Sequence, residues 1–282
     1  MASAHSRRAF LGALVARRLP EEPPRRRRPA APPARATLDA AQVHARASAL
    51  GLDVSTLLER SLRLTPAPDG VATRSWVGGR PDLPAGFAWP RDAGGAPLPF
   101  AAQVERPSGL LLFFAGAGAA HVARVAKTAG GGGGGERVVA SAEWSLPRAW
   151  SAPVVALGLD DAQREAYNNL RAGLAREQGV QLHEDVPGVL ELHRLFGHPD
   201  DTRGDGPLTC ELLDAGLPID DLWAHAEREA PAARRWRLLL QLTHPAPGVE
   251  RLTFWIPRED LAAGDFTRVR ALFTHDPEHP TP

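Results

Sequence analysis

One pattern occurs twice in this chain and limits the folds open to it. Residues 78–114 contain Gly-Gly-Arg-Pro-Asp, then Phe-Ala-Ala-Gln-Val, then Gly-Leu-Leu-Leu-Phe-Phe; residues 197–255 contain Gly-His-Pro-Asp, then Leu-Leu-Leu-Gln-Leu, then Leu-Thr-Phe-Trp. In both, a Gly-x-Pro-Asp turn (Gly79 to Asp82, Gly197 to Asp200) precedes a glutamine in an apolar run (Gln103, Gln241), and a second apolar run follows. Runs this short, set off by Gly and Pro, fit strands joined by hairpins better than helices. The expectation is an α+β fold: a largely antiparallel sheet with flanking helices, built from two related halves by internal duplication.

The segments between these runs supply the helices. Ala40, Val43, Ala47 and Leu50 recur at helical spacing, and Gly51 stops the pattern. Asp53 is positioned to cap a second short helix carrying Leu57 and Leu58, and residues 62–64 read as extended. The clearest helix covers residues 160–178: Asp160 as cap, Ala162, Ala166, Leu170 and Leu174 on one stripe, Gly179 beyond it. Asp220 starts another helix, through Glu229, and Pro257 opens a helical turn. Strands are expected at 100–104, 110–114, 138–141, 236–242, 251–256 and 267–273. Residues 75–100 are too rich in Gly and Pro for regular structure, yet Trp76, Phe87 and Trp89 would be wasted in a free loop, so an ordered loop pinned to the core is expected. The six-glycine run at 130–135 has no side chain to pack and reads as a flexible loop.

Charge divides the chain unevenly. The first 35 residues hold nine Arg and two Glu, which leaves 24 basic and 31 acidic residues for the rest. Residues 1–38 therefore read as a disordered Arg/Pro-rich leader, with loose contact to anionic surfaces as its sharper role. The domain proper is 39–274, its halves about 39–150 and 151–274, and residues 275–282 form a flexible tail. The mildly acidic body gives no reason to expect nucleic acid as a partner. No stretch is long and apolar enough for a membrane span. Ser6-Arg7-Arg8-Ala9-Phe10-Leu11 resembles a twin-arginine export signal, but its apolar run ends early at Arg17-Arg18, so the cytoplasm is the expected compartment and export the alternative.

Catalytic motifs are sparse. No phosphate loop can be read, because Lys127 precedes the glycine run; Gly-Ala-Gly at 116–118 reads as a small-residue strand exit, since His121 holds the third glycine position of a dinucleotide fingerprint. Cys210, the single cysteine, lies in an apolar context and reads as a small buried hydrophobe. The densest polar cluster is His193, His198, Asp200, Asp201, Arg203 and Asp205. Imidazole beside carboxylate suits a divalent metal, which makes His193, His198, Asp200 and Asp205 the ligands of an alternative reading, although their spacing matches no helical ligand pair. Gln103 and Gln241 have the donors and the acceptor to pin irregular loops.

The strings Val-Gly-Gly-Arg-Pro-Asp-Leu-Pro at 77–84, Phe-Ala-Trp-Pro at 87–90 and Pro-Phe-Ala-Ala-Gln at 99–103 resemble the YwqG-like family, a bacterial domain family of unknown function. Trp-Arg-Leu-Leu-Leu-Gln-Leu at 236–242 and Phe-Trp-Ile at 254–256, followed by Asp260-Leu261 and Asp265-Phe266, extend the resemblance to roughly 39–274. Where that family carries a Trp-Gly-Asp-x-Gly turn, this chain has residues 243–250 without it. The resemblance implies a fold and no catalytic residues. The expected function is a non-enzymatic binding or protein-interaction module for an unknown protein or small molecule, without a cofactor. Trp76, Asp82, Trp89, Gln103, His198, Asp200 and Gln241 are its candidate binding residues. The alternative is a metal-assisted hydrolase or transferase built on the 193–205 cluster.

Overall fold

A computed structural model describes residues 38–116, 118–127, 131–179, 193–200, 205–219, 224, 226–246 and 249–275. The leader, Ala117, Gly130, Asp201, Arg203, the Asp220 cap and the last seven residues lie outside them.

Helix α1 (Ala40–Ala49) starts where the Asp39 side chain accepts the Ala41 N–H and Gln42 reaches back to the Asp39 N–H, a capping box that satisfies two orphan donors. Helix α3 (Asp161–Glu177) repeats the device with Asp160 and Gln163. Their inner faces, Val43 and Ala47 from one and Tyr167, Leu170 and Leu174 from the other, share a cluster with Leu57 and Leu146. The shorter helices are α2 (Ala152–Val155), α4 (Gly206–Asp214), α5 (Ala226–Ala233) and α6 (Arg258–Ala263).

The strands are β1 (Glu59–Pro66), β2 (Trp76–Val77), β3 (Phe100–Arg106), β4 (Gly109–Gly116), β5 (Ala119–Val125), β6 (Glu136–Ser145), β7 (His193–Leu195), β8 (Trp236–Ala246), β9 (Val249–Pro257) and β10 (Arg270–His275). They form one sheet in the order β10-β9-β8-β7-β1-β6-β2-β3-β4-β5, and every neighbouring pair is antiparallel. That order is palindromic: exchanging β1 to β5 with β6 to β10, one for one, returns the same list read from the other end. At its centre β1 lies against β7 and β6 lies against β2, so strands distant in the chain meet in the middle of the sheet.

The two wings meet on a common core. Leu111 and Phe113 of β4 join Leu252, Phe254 and Ile256 of β9, and the Phe113 and Phe254 rings meet edge to face at 5.2 Å. Period-two alternation sends the other face of each strand elsewhere. Leu110, Leu112 and Phe114 pack beneath Leu83, Phe87, Trp89 and Leu98, so the Gly/Pro-rich segment is an ordered loop roofing β4. Each such fully buried side chain contributes roughly 1.5–3 kcal/mol. On β9 the opposite face carries Trp255, which packs on Cys210 of α4 together with Trp236 and Leu238.

Two local expectations change, and two further elements carry no signal in the sequence. Residues 53–58 form a turn rather than a helix, with the Asp53 carboxylate accepting the Ser55 N–H. Residues 119–125 form a strand whose alanines give no β signal; the open edge of β4 determines the outcome by pairing with it. Helix α4 begins at Gly206-Pro207, where proline suits the first turn of a helix and Asp205 caps it. The second changed expectation concerns the glycine run, which is no free loop.

Candidate binding cleft at the second Gly-x-Pro-Asp turn

Both turns are built the same way. Gly78 and Gly79 have φ of 68° and 74°; Phe196 and Gly197 have 62° and 72°. Two consecutive left-handed residues curl each chain back over its sheet, a conformation that suits glycine and strains phenylalanine. The turn then delivers an aspartate N–H to a strand glutamine: Asp82 to Gln103 Oε1 at 2.8 Å, and Asp200 to Gln241 Oε1 at 3.0 Å. Neither glutamine has any exposed surface. The Gln103 amide also donates to the Arg74 carbonyl at 2.8 Å and to Asp82 Oδ2 at 3.0 Å. An arginine faces each aspartate, Arg74 at 2.6 Å and Arg171 at 3.5 Å.

What lies over the turns differs. Above the first, the N–H groups of Gly131 and Gly132 donate to Asp82 Oδ1 at 3.1 and 3.0 Å, and Arg80 and Gly133 exchange two backbone bonds of 2.9 Å. A Cβ on Gly132 would fall 2.5 Å from the Arg80 carbonyl oxygen, and one on Gly79 would fall 2.3 Å from the Gly135 nitrogen. Gly132 and Gly135 lie where two backbones touch, and Gly133 and Gly134 hold φ of 131° and 80°, which corrects the flexible-loop reading. Burial works to raise the Asp82 carboxyl pKa, but Arg74, Gln103 and the Gly132 N–H together outweigh it and hold that carboxyl below its ordinary range.

At the second turn His198 takes the place of Arg80 in the motif. Its Nε2 lies 2.6 Å from the Leu57 carbonyl oxygen, an acceptor, so this nitrogen bears the proton and donates. Burial lowers its pKa to about 4 against the pull of Glu59, and the imidazole is neutral at neutral pH. Strand register shows what replaces the glycines. Arg137 lies opposite Trp76 and Arg63 opposite Arg194, so Gly133 and Glu59 stand at matching positions, each four residues earlier. In place of a hydrogen, the second site has a carboxylate.

That carboxylate anchors a charged cluster. Glu59 pairs with Arg237, lies 3.3 Å from Arg258 Nη2, and is 3.9 Å from His198 Nε2. These residues line a cleft of about 680 Å³ between the second turn, α2, the start of α4 and the ends of β8 and β9. Trp236, Leu238 and Trp255 supply apolar wall on one side, and Leu57, Pro153 and Ala156 on the other. Its charged lining is Arg148, Arg234, Arg237 and Arg258 against Glu59 and Asp205, an excess of two positive charges. Asp205 is committed to structure, with its two oxygens accepting from Leu208 at 3.1 Å and Ala152 at 3.0 Å. Burial lowers the pKa of Arg237, partly offset by Glu59.

Of the candidate binding and metal residues that are described, His198 and Asp205 line this cleft. Asp200 and Gln241 lie buried behind it, and Asp82 and Gln103 sit beneath the glycine cover. Trp76 is 7 % exposed and donates to the Arg80 carbonyl at 3.0 Å. Trp89 donates to the Leu98 carbonyl at 2.8 Å and meets Phe114 edge to face at 5.1 Å, so both indoles are engaged in holding the first turn and its roof. The 193–205 metal reading is corrected. His193 Nδ1 accepts from the Thr243 N–H at 3.2 Å, while His198, Asp200 and Asp205 are held by Leu57, Gln241 and two helix starts respectively. No group of three metal-ligating side chains occurs among the described residues. Cys210 is fully buried and its thiol pKa is pushed well up by burial, away from thiolate chemistry. The sequence reading missed Glu59, Arg237 and Arg258, which are scattered along the chain; only the strand register of the two halves could have pointed to Glu59.

A single antiparallel sheet flanked by helices, with a basic cleft beside one of two matched turns, defines the class: an α+β domain. The chain belongs to the family described as Domain of unknown function (DUF1963), whose pattern matches residues 75–117 and 141–274. Both turns fall inside the match, and the glycine cover falls in its gap. No curated protein matches the chain. No helix among the described residues is long and apolar enough to cross a membrane.

Proposed function

We propose that this protein is a non-enzymatic binding module and that the cleft beside Gly197–Asp200 is its recognition site. The reading also takes the two halves to be copies, one turn kept as scaffold and the other opened for binding. The observation that carries it is the replacement of a backbone-on-backbone seal by a 680 Å³ cleft lined with arginines and tryptophans at the equivalent turn. That size suits a small molecule or a few residues of a peptide. The palindromic strand order and the paired left-handed residues support the copy relation.

The state of the acid–base groups favours binding over catalysis. Glu59 is tied to two guanidiniums, Asp205 caps two helices, and His198, with a pKa near 4, is a weak base at neutral pH. The test is native mass spectrometry of the full chain purified gently from cells, beside Ala156→Trp. Ala156 is an exposed lining residue whose replacement fills the cleft without touching the core. The expected result is a bound small molecule or peptide on the wild-type chain that the variant lacks. Equal occupancy of both proteins would move the site elsewhere.

A further inference from the structure

We infer that the cleft takes a small organic oxyanion, a carboxylate or phosphate carried on an apolar body, and that Arg258 is its principal contact. The inference rests on the binding reading above and names its ligand class. The charge is the first argument: four guanidiniums and two carboxylates line the cleft of a body that is otherwise acidic, with 24 basic and 31 acidic residues after position 35. The second is that the cleft already binds one carboxylate. Arg237 and Arg258 both reach the same oxygen of Glu59, with His198 beyond its other oxygen. A guanidinium fork matches the geometry of such an anion.

Arg258 has capacity left over. Its Nε donates to the Arg234 carbonyl at 3.1 Å and its Nη2 reaches Glu59 at 3.3 Å, which orients the guanidinium plane. Its side chain is 53 % exposed, and Nη1 has no partner among the described residues. Arg234 lines the same cleft with no side-chain partner among the described residues. Ala156 and Leu157, the latter 39 % exposed, offer apolar surface at the cleft rim, and the buried Trp236, Leu238 and Trp255 back its wall, so an aromatic or aliphatic body would be taken out of water there. An ion without such a body would gain little there, so inorganic phosphate should bind more weakly than phenyl phosphate.

The experiment is calorimetric titration of the full chain with benzoate, phenyl phosphate, inorganic phosphate and the neutral isostere benzamide. It is run on wild type, Arg258→Gln, Arg258→Lys and Ala156→Trp, with thermal melts to verify folding. The expected result is saturable binding of benzoate or phenyl phosphate that weakens about tenfold in Arg258→Gln, the loss of one charge-assisted contact. Arg258→Lys should retain part of that affinity, Ala156→Trp should abolish it, and benzamide should bind at least about tenfold more weakly than benzoate. The more strongly bound of the two aromatic anions identifies which oxyanion source the site favours. Benzamide binding as tightly as benzoate, with loss in Ala156→Trp, would overturn the anion inference and leave the cleft standing. Anion binding that survives Ala156→Trp would overturn both readings. Absence of saturable binding by either aromatic anion below about 1 mM, or an unaltered affinity in Arg258→Gln, would overturn the anion inference alone.

Discussion

Around Asp82 the turn, the glutamine and the arginine are closed over by bare backbone, and around Asp200 the same turn, glutamine and arginine stand next to a charged cleft. On the proposed reading of the second turn as a binding site, the contrast teaches how few residues separate a structural joint from a site. The hydrogen bonds that fix the turn are kept, because a buried aspartate N–H without a partner would cost about 1–3 kcal/mol in either half. The residues laid over the turn are what differ: Gly132 and Gly135 permit contact between backbones in the first, and in the second Glu59 brings a charge that pairs with Arg237 and Arg258. Phe196 shows the same economy, holding a left-handed conformation that its counterpart Gly78 adopts freely.

Acid should separate the two turns most strongly. Burial depresses both His193 and His198 to about 4, and both lie in the second half. The unfolded chain binds a proton at each below its ordinary pKa of about 6.5, whereas the folded chain does not until about 4. Stability is therefore fully present above pH 6.5 and falls as pH drops toward 4, by on the order of 3 kcal/mol per imidazole. Asp82, held below its ordinary 3.8, keeps its contribution through that window. Denaturant melts across this range should show the loss, with His193→Gln removing part of the slope. Amide spectra should show the second turn loosening before the first.

Gly132→Val ranks next. Its branched side chain must enter space where even a Cβ lies 2.5 Å from the Arg80 oxygen and 2.6 Å from the Asp82 nitrogen, so about 3 kcal/mol of stability should be lost in an equilibrium melt. A neutral outcome would mean that the cover is not seated as described. Gln103→Leu should cost about 2–3 kcal/mol by stranding the Asp82 N–H and the Arg74 carbonyl, and Gln241→Leu should cost a similar amount. A large disparity would break the equivalence of the two pins. The smallest effect is expected at Gly78→Ala, about 1 kcal/mol, because the position has φ 68° but open space around a Cβ.

Much of the scaffold is legible in the sequence. The doubled Gly-x-Pro-Asp and glutamine signature marks both turns, helical spacing marks both long helices with Asp160 as the cap of the second, and short apolar runs mark β3, β4, β8 and β9. Each of these is a local signal whose physics lies within a few residues. The cleft is not legible in that way, because Glu59, His198, Arg237 and Arg258 come from four distant segments and converge only through strand pairing. The glycine run misleads for a related reason: entropy argues for a free loop, and only the close approach of Gly79 explains why it is ordered. Strand β5 is decided in the same way by a neighbour's open edge, and helix α4 by the cap that Asp205 supplies.

The comparison of a sealed turn with an open one is tested most directly by amide hydrogen exchange at residues 131–135. The Gly132 and Gly133 N–H groups donate to Asp82 and Arg80, so they should exchange orders of magnitude more slowly than glycines in an unstructured chain. Exchange at the unstructured rate would mean that nothing seals the first turn, and the asymmetry that singles out the second as the binding site would be gone.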